Sequence, residues 1–251
     1  MKYVSESQIR REICDIGQKM YDKGFVAAND GNISARVKDN VIIVTPTGVS
    51  KGGMTPDSLV KMDLDGNILA GRSRPSSEVK MHIEVYRQSD EIMSVCHAHP
   101  PMSTAFAVAR RPLDRPIISE AIFTLGVVPV ADYATPGTEE VPQSISPFVK
   151  DYNAVLLANH GLLTWGDSLL QAFFRMESAE QYSRIMYYLD KIGEPQELKC
   201  DKVEELVAIR EKAGIHTGGV PPCRISDEKP NDQEELVQEI TRRVLAALRK
   251  R

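Results

Sequence analysis

Two turn signals early in the chain most constrain its fold. Asp39-Asn40 inside "ARVKDNVIIV" and Asp65-Gly66-Asn67 inside "LVKMDLDGNILAG" interrupt short apolar stretches and predict β-hairpins near the front of a sheet. Hairpins join antiparallel neighbours, so a wholly parallel sheet is excluded. Helical patterns are interleaved with them. Residues 5–23 place Ile9, Ile13, Ile16, Met20 and Tyr21 on one helical face, with Ser5 as cap, Gln8 at the capping-box position and Gly24 past the end. A second helix spans 77–89 after the polar loop "GRSRPSSE", and "DSLLQAFFRMESAEQYSRIMYYLDKIG" forms a long helix closed by Gly193. Between them "EIMSVCHAH" and "YNAVLLANHG" read as strands, and "ISEAIFTLGVVPVADYATPGTEE" as short strands and turns. The implied fold class is α/β: a layered α/β/α domain around a central mixed, largely antiparallel sheet.

Residues 1–223 form one domain on this reading, followed by the polar, Pro-containing linker 224–231 and a separate amphipathic helix over 232–251. At 251 residues, 42% apolar and a formal charge of -4, the chain has ample core and no bulk field directed at nucleic acid. No run of about 18 apolar residues crosses a membrane and the N-terminus lacks a signal-peptide pattern, so the expected location is cytoplasmic. Cys14, Cys96, Cys200 and Cys223 lack C-x-x-C spacing and are expected as reduced thiols.

The chemistry begins at "VCHAHPP". On a strand, residues two apart project to the same face, so His97 and His99 can aim at one point, at a strand end where Pro100-Pro101 is expected to stop regular structure. His160 in "LLANHGLL" also ends an apolar strand. Three imidazoles plus a vacancy make an open catalytic zinc site. His82, inside the 77–89 helix, is expected to be a structural histidine, and His216 carries little weight.

In order, the pieces "DGNIS", "TPTG", "PSSE…H…Y", "HAHP", "YATPGT" and "NHG" resemble the class II aldolase/adducin family over residues 5 to about 215, most closely its zinc-dependent fuculose-1-phosphate aldolase branch. The resemblance implies that His97, His99 and His160 hold zinc, that Glu78 is the acid/base beside it, and that Asn32, Thr47, Gly48, Ser76 and Ser77 bind substrate phosphate. Physical chemistry agrees: Asn32, Thr47, Ser76 and Ser77 supply neutral donors, Gly48 lets backbone N–H groups approach closely, and Ser76 and Ser77 open a helix whose positive end favours an anion. Lys51 and Arg74 add charge. The implied reaction is retro-aldol cleavage of a deoxyketose 1-phosphate, L-fuculose 1-phosphate or rhamnulose 1-phosphate, to dihydroxyacetone phosphate and lactaldehyde. Glu78 then protonates the enediolate whose charge the metal offsets.

The chain departs from that branch where the aldehyde half is handled, because "ISEAIFTLG" and "REKAGIHTG" lack the branch's tyrosines; Glu120 is the candidate there. Related readings are a ribulose-phosphate 4-epimerase, which carries aspartate where Glu78 stands, a methylthioribulose-phosphate dehydratase, and an adducin-like scaffold, which lacks the histidines. The family implies a homotetramer. Beyond the family-like region, Leu236, Val237, Ile240, Val244, Leu245 and Leu248 form one helical stripe. That segment resembles the encapsulation peptides of bacterial microcompartment enzymes, which implies docking on a shell protein and a place inside such a compartment; the alternative partner is the enzyme's own oligomer surface.

Overall fold

A computed structural model describes residues 3–223. The linker 224–231 and helix 232–251 expected from the sequence lie outside them. The described residues build an eight-stranded sheet in the order β4-β3-β2-β1-β5-β8-β7-β6. Its strands are β1 (Asn32–Lys38), β2 (Val41–Val44), β3 (Val60–Asp63), β4 (Ile68–Ala70), β5 (Ser94–Ala98), β6 (Val130–Ala131), β7 (Ala154–Leu157) and β8 (Gly161–Gly166). Every pairing is antiparallel except β6 with β7. Both hairpin turns lie where the sequence places them, and the sheet is mixed and largely antiparallel as expected.

Helices cover both faces. On one lie α1 (Glu6–Asp22), α3 (Pro101–Val108) and α6 (Leu169–Ile192), packed through Ile13, Met20, Phe106, Phe173 and Met176 onto Ile33, Cys96, Leu156 and Leu162. On the other lie α2 (Val79–Gln88) and α5 (Glu140–Ile145), where Met81, Val85 and Ile145 meet Ile42, Val95, Leu163 and Trp165. Neighbours such as Val95 and Cys96 therefore serve opposite cores, as the period of two requires. The central strands β5 and β8 are buried along their whole length. Ser5 caps α1 by accepting from the Gln8 amide, and α6 ends at Gly193, both as read from the sequence.

Three expectations are corrected. Pro100-Pro101 does not end regular structure: Pro101 is the first residue of α3, where a missing N–H costs nothing. The next amides, Met102 N and Ser103 N, donate to the buried Glu180 carboxylate of α6 at 3.2 and 2.8 Å. The stretch "SEAIFT" is not a strand but α4 (Ser119–Thr124), because tertiary contacts override the β-branched composition: the Arg210 guanidinium of α7 (Cys200–Lys212) donates to the Ile122 carbonyl oxygen at 3.2 Å. Cys200 and Cys223 are joined as a disulfide, Cα to Cα 5.2 Å, while Cys14 and Cys96 are free. Their separation of 23 residues carries no motif. The chain after α7 folds back through Gly218, whose amide donates to the Asp151 carbonyl oxygen at 2.8 Å.

Candidate metal and acid/base site

The site forms where β1, β5 and the β7–β8 turn meet the start of α2. Asn32 on β1 pairs directly with His97 on β5, so the two side chains share the face covered by α2. His99 follows β5, held by its amide donating to the Phe25 carbonyl oxygen at 3.0 Å. His160 ends the turn between β7 and β8, with Asn159 in the left-handed region at φ 55° and the His160 amide donating to the Leu157 carbonyl oxygen at 2.9 Å.

The three imidazoles form a near-equilateral cluster with ring centroids 4.7–5.1 Å apart. Each offers a nitrogen within 4.8 Å of the others. His97 Nδ1 faces the Leu162 carbonyl oxygen at 3.0 Å, and a carbonyl only accepts, so the proton is on Nδ1 and the Nε2 lone pair is free. His99 Nδ1 lies 3.3 Å from the Asp30 carboxylate, the partner that fixes ring orientation in histidine–metal sites. His97 Nε2 and His99 Nε2 are buried without any hydrogen-bond partner. Burial lowers the pKa of both, far below the usual histidine value for His97, which favours the neutral form that a metal ligand needs. Two converging orphan lone pairs and a third imidazole suit a divalent metal ion.

Glu78 immediately precedes α2 and leaves that helix uncapped by its own side chain. Its Oε1 lies 3.0 Å from His160 Nε2 and its Oε2 3.6 Å from His97 Nε2, while Asn32 Nδ2 donates to Oε2 at 2.7 Å. Burial raises its pKa, but His97, His160 and Asn32 outweigh burial and hold the carboxyl below its usual range. Glu78 thus sets its carboxyl group in contact with the cluster.

The residues expected to bind phosphate divide into two groups. Thr47, Gly48, Ser76 and Ser77 lie on two adjoining loops: the Thr47 amide donates to the Arg74 carbonyl oxygen at 3.0 Å and the Ser76 amide to the Thr45 carbonyl oxygen at 3.1 Å. Thr47, Gly48 and Ser77 are exposed, and Gly48 has φ 74°, which suits glycine. The "YATPGT" loop arrives beside them, with the position of a β-carbon on Gly137 4.0 Å from Ser77 Cβ. Asn32 is different: it is buried, and its amide is engaged by His82 on one side and Glu78 on the other. Glu120 stands exposed on α4, in a groove lined also by Phe174, Gln181 and Ile185 of α6. The structure does not bring it into the hydrogen bonds or ion pairs of the histidine cluster.

Two residues acquire roles that spacing did not reveal. Lys51 is 2% exposed, and its Nζ donates to the carbonyl oxygens of Asn29 and Val49 at 3.0 and 2.8 Å, tying the loop before β1 to the Thr47–Gly48 loop. Burial brings its pKa down to about 8, against the opposing pull of Asp30 and Glu78. His82 is buried as expected, yet it touches Asn32 and thereby adjoins the site.

The chain is similar to several known proteins. The chain is 34% identical over 199 residues to the 5-deoxy-D-ribulose 1-phosphate aldolase of Bacillus thuringiensis serovar kurstaki, covering 78% of this chain and 92% of that protein. It is 32% identical over 189 residues to the 3-oxo-tetronate 4-phosphate decarboxylase of Escherichia coli K12, covering 73% and 88%. A solved L-fuculose 1-phosphate aldolase superposes with a TM-score of 0.76 at 32% identity, covering 84% of this chain and 98% of that one. Residues 11–187 match the class II aldolase and adducin N-terminal domain, so the chain belongs to that family and is an enzyme of the class II aldolase type, a lyase.

Proposed function

We propose that the chain catalyses zinc-dependent retro-aldol cleavage of a deoxyketose 1-phosphate, L-fuculose 1-phosphate or rhamnulose 1-phosphate, to dihydroxyacetone phosphate and lactaldehyde. The observation that carries this reading is the Glu78 carboxylate set 3.0 Å from His160 in a cluster whose other two imidazoles present orphan nitrogens. His97, His99 and His160 would hold the ion; three imidazoles with an open position suit zinc. When bound, the ion supplies a Lewis-acid charge that offsets negative charge developing on the substrate's carbonyl and hydroxyl oxygens.

This chain's residues supply the rest. The Thr47–Gly48 and Ser76–Ser77 loops, at the positive end of α2, hold the phosphate and fix C1 of the sugar. Cleavage breaks the C3–C4 bond: the C4 hydroxyl loses its proton as the aldehyde forms, and the bonding pair passes to the C2–C3 unit as an enediolate. Glu78, having taken a proton from solvent, delivers it to C3, giving dihydroxyacetone phosphate; in synthesis the carboxylate removes it. The C4 hydroxyl proton passes to Glu120, reaching the site from a neighbouring copy in the homotetramer that the family resemblance implies.

The E. coli relative supports a second reading, decarboxylation of a phosphorylated 3-oxo acid, which also leaves an enolate to be protonated. Incubation with ketose 1-phosphates, ketose 5-phosphates and a 3-oxo-tetronate 4-phosphate, following aldehyde, epimer and carbon dioxide in the same samples, separates these reactions. Aldehyde release from a 1-phosphate is the expected result; carbon dioxide alone would replace the aldolase with the decarboxylase.

Residues 232–251 are proposed, from their resemblance to encapsulation peptides, to dock on a microcompartment shell protein, where a reactive aldehyde product gives confinement a purpose. A fluorescent protein fused to residues 224–251 should collect in shells. Diffuse fluorescence, with loss of the tetramer when the segment is deleted, would make it an oligomerisation helix instead.

A further inference from the structure

Behind Glu78 runs an unbroken row of buried polar groups. Tyr86 Oη and Ser34 Oγ are 2.8 Å apart, Ser34 Oγ and His82 Nδ1 2.7 Å apart, His82 Nε2 meets Asn32 Oδ1, and Asn32 Nδ2 reaches Glu78 Oε2 at 2.7 Å. Tyr86, Ser34, His82 and Asn32 are each no more than 3% exposed. Solvent therefore cannot replace a missing partner at low cost.

The direction of every bond follows from one end. Glu78 Oε2 accepts from Asn32, so Asn32 presents its Nδ2 to Glu78 and its Oδ1 to His82. An amide oxygen only accepts, so His82 carries its proton on Nε2. Nδ1 of the neutral ring is then a lone pair, which the Ser34 hydroxyl fills by donating, and the Tyr86 hydroxyl donates to Ser34. Reversing any one link leaves two acceptors or two donors facing each other in a dry interior. The arrangement fixes which carboxylate oxygen is free: Oε2 is held by Asn32, and Oε1 faces His160.

We infer that His82 is a positioning residue for proton transfer: through Asn32 it holds Glu78 Oε2, so that Oε1 alone takes up and delivers the proton. This rests on the reading of Glu78 as the proton carrier. Asn32 can keep its bond to Oε2 whether Oε1 is protonated or not, so the carboxyl stays in one orientation through both halves of the reaction.

The test is exchange of the C3 proton of dihydroxyacetone phosphate with deuterated solvent by the metal-loaded protein, with metal content and substrate KM measured alongside. His82→Leu removes the Nε2 donor and is expected to slow exchange about 10- to 100-fold, with stoichiometric metal and KM within about threefold. His82→Gln, whose amide nitrogen can stand where Nε2 stood, should recover most of the rate. If His82→Leu does not fold, Ser34→Ala decides: it frees the tautomer without emptying the site and should lower exchange with metal and KM unchanged. Wild-type exchange in His82→Leu or Ser34→Ala, or a loss that only tracks metal content, would overturn the positioning role. Equal rates in His82→Gln and His82→Leu would overturn it too. Absence of exchange in the wild type would instead remove the Glu78 assignment on which it rests.

Discussion

Gly161 packs against His99: a β-carbon at Gly161 would lie 2.6 Å from His99 Cδ2, 2.5 Å from the Ala98 carbonyl oxygen and 3.3 Å from His97 Cε1. The residue after one cluster histidine thus sets the clearance for the other two. Gly161→Ala should push His99 off the cluster and cost about 1–3 kcal/mol by overpacking. Metal affinity measured by chelator competition should fall at least about 10-fold; unchanged affinity would mean that the strand ends move freely.

His97→Ala, His99→Ala and His160→Ala should each abolish stoichiometric metal in the purified protein, measured by mass spectrometry, together with turnover. Retained metal in His160→Ala would remove the β7–β8 turn from the site.

Glu78→Gln should keep metal and phosphate affinity while lowering turnover and solvent exchange about 10²- to 10⁴-fold, the usual range for a positioned acid/base. Glu78→Asp tests the epimerase alternative through any gain of 4-epimer product, followed by chromatography.

Glu180 accepts from Met102 N, Ser103 N and Ser103 Oγ, and pairs with Arg184 at 2.9 Å. It therefore fixes the first turn of α3, which begins two residues past His99. Glu180→Ala should destabilise the fold by about 3 kcal/mol, since it strands buried donors, as read from urea denaturation.

Burial brings the His82 pKa down to about 4 from an ordinary value of 6.5. The folded state binds this proton less readily than the unfolded chain, so the stability it contributes is complete above pH 6.5 and is lost as pH falls toward 4. At about 1.4 kcal/mol per unit the loss is roughly 3 kcal/mol. His97 and His99 shift in the same direction, so the wild type should lose more than that. Urea denaturation at pH 7 and pH 4.5 should show a smaller difference in His82→Leu than in the wild type.

Features encoded by neighbours in the chain were legible in the sequence. Ser5 and Gln8 mark the start of α1, Asp65-Gly66-Asn67 marks a hairpin, and two histidines one residue apart at a strand end mark a shared target. Features made by distant partners were not. The start of α3 depends on Glu180, nearly 80 residues on, and α4 depends on Arg210. His82 read as a structural histidine because its helix alone shows only a buried ring; the polar row appears once β1 places Ser34 and Asn32 on the α2 face. Glu120 was reached only through a resemblance, and nothing among the described residues gathers it to the cluster.

β5 lies between β1, which precedes it by some 60 residues, and β8, which follows it by about the same distance. During synthesis a chain emerging only as far as β7 can already pair β1 with β5 and hold His97 and His99, but it lacks His160. The histidine cluster is completed only when the last hairpin closes the gap between β5 and β7, a step delayed by its long loop closure. Tight metal capture would then report that the sheet has finished assembling, and partly made chains would have little means of sequestering the ion.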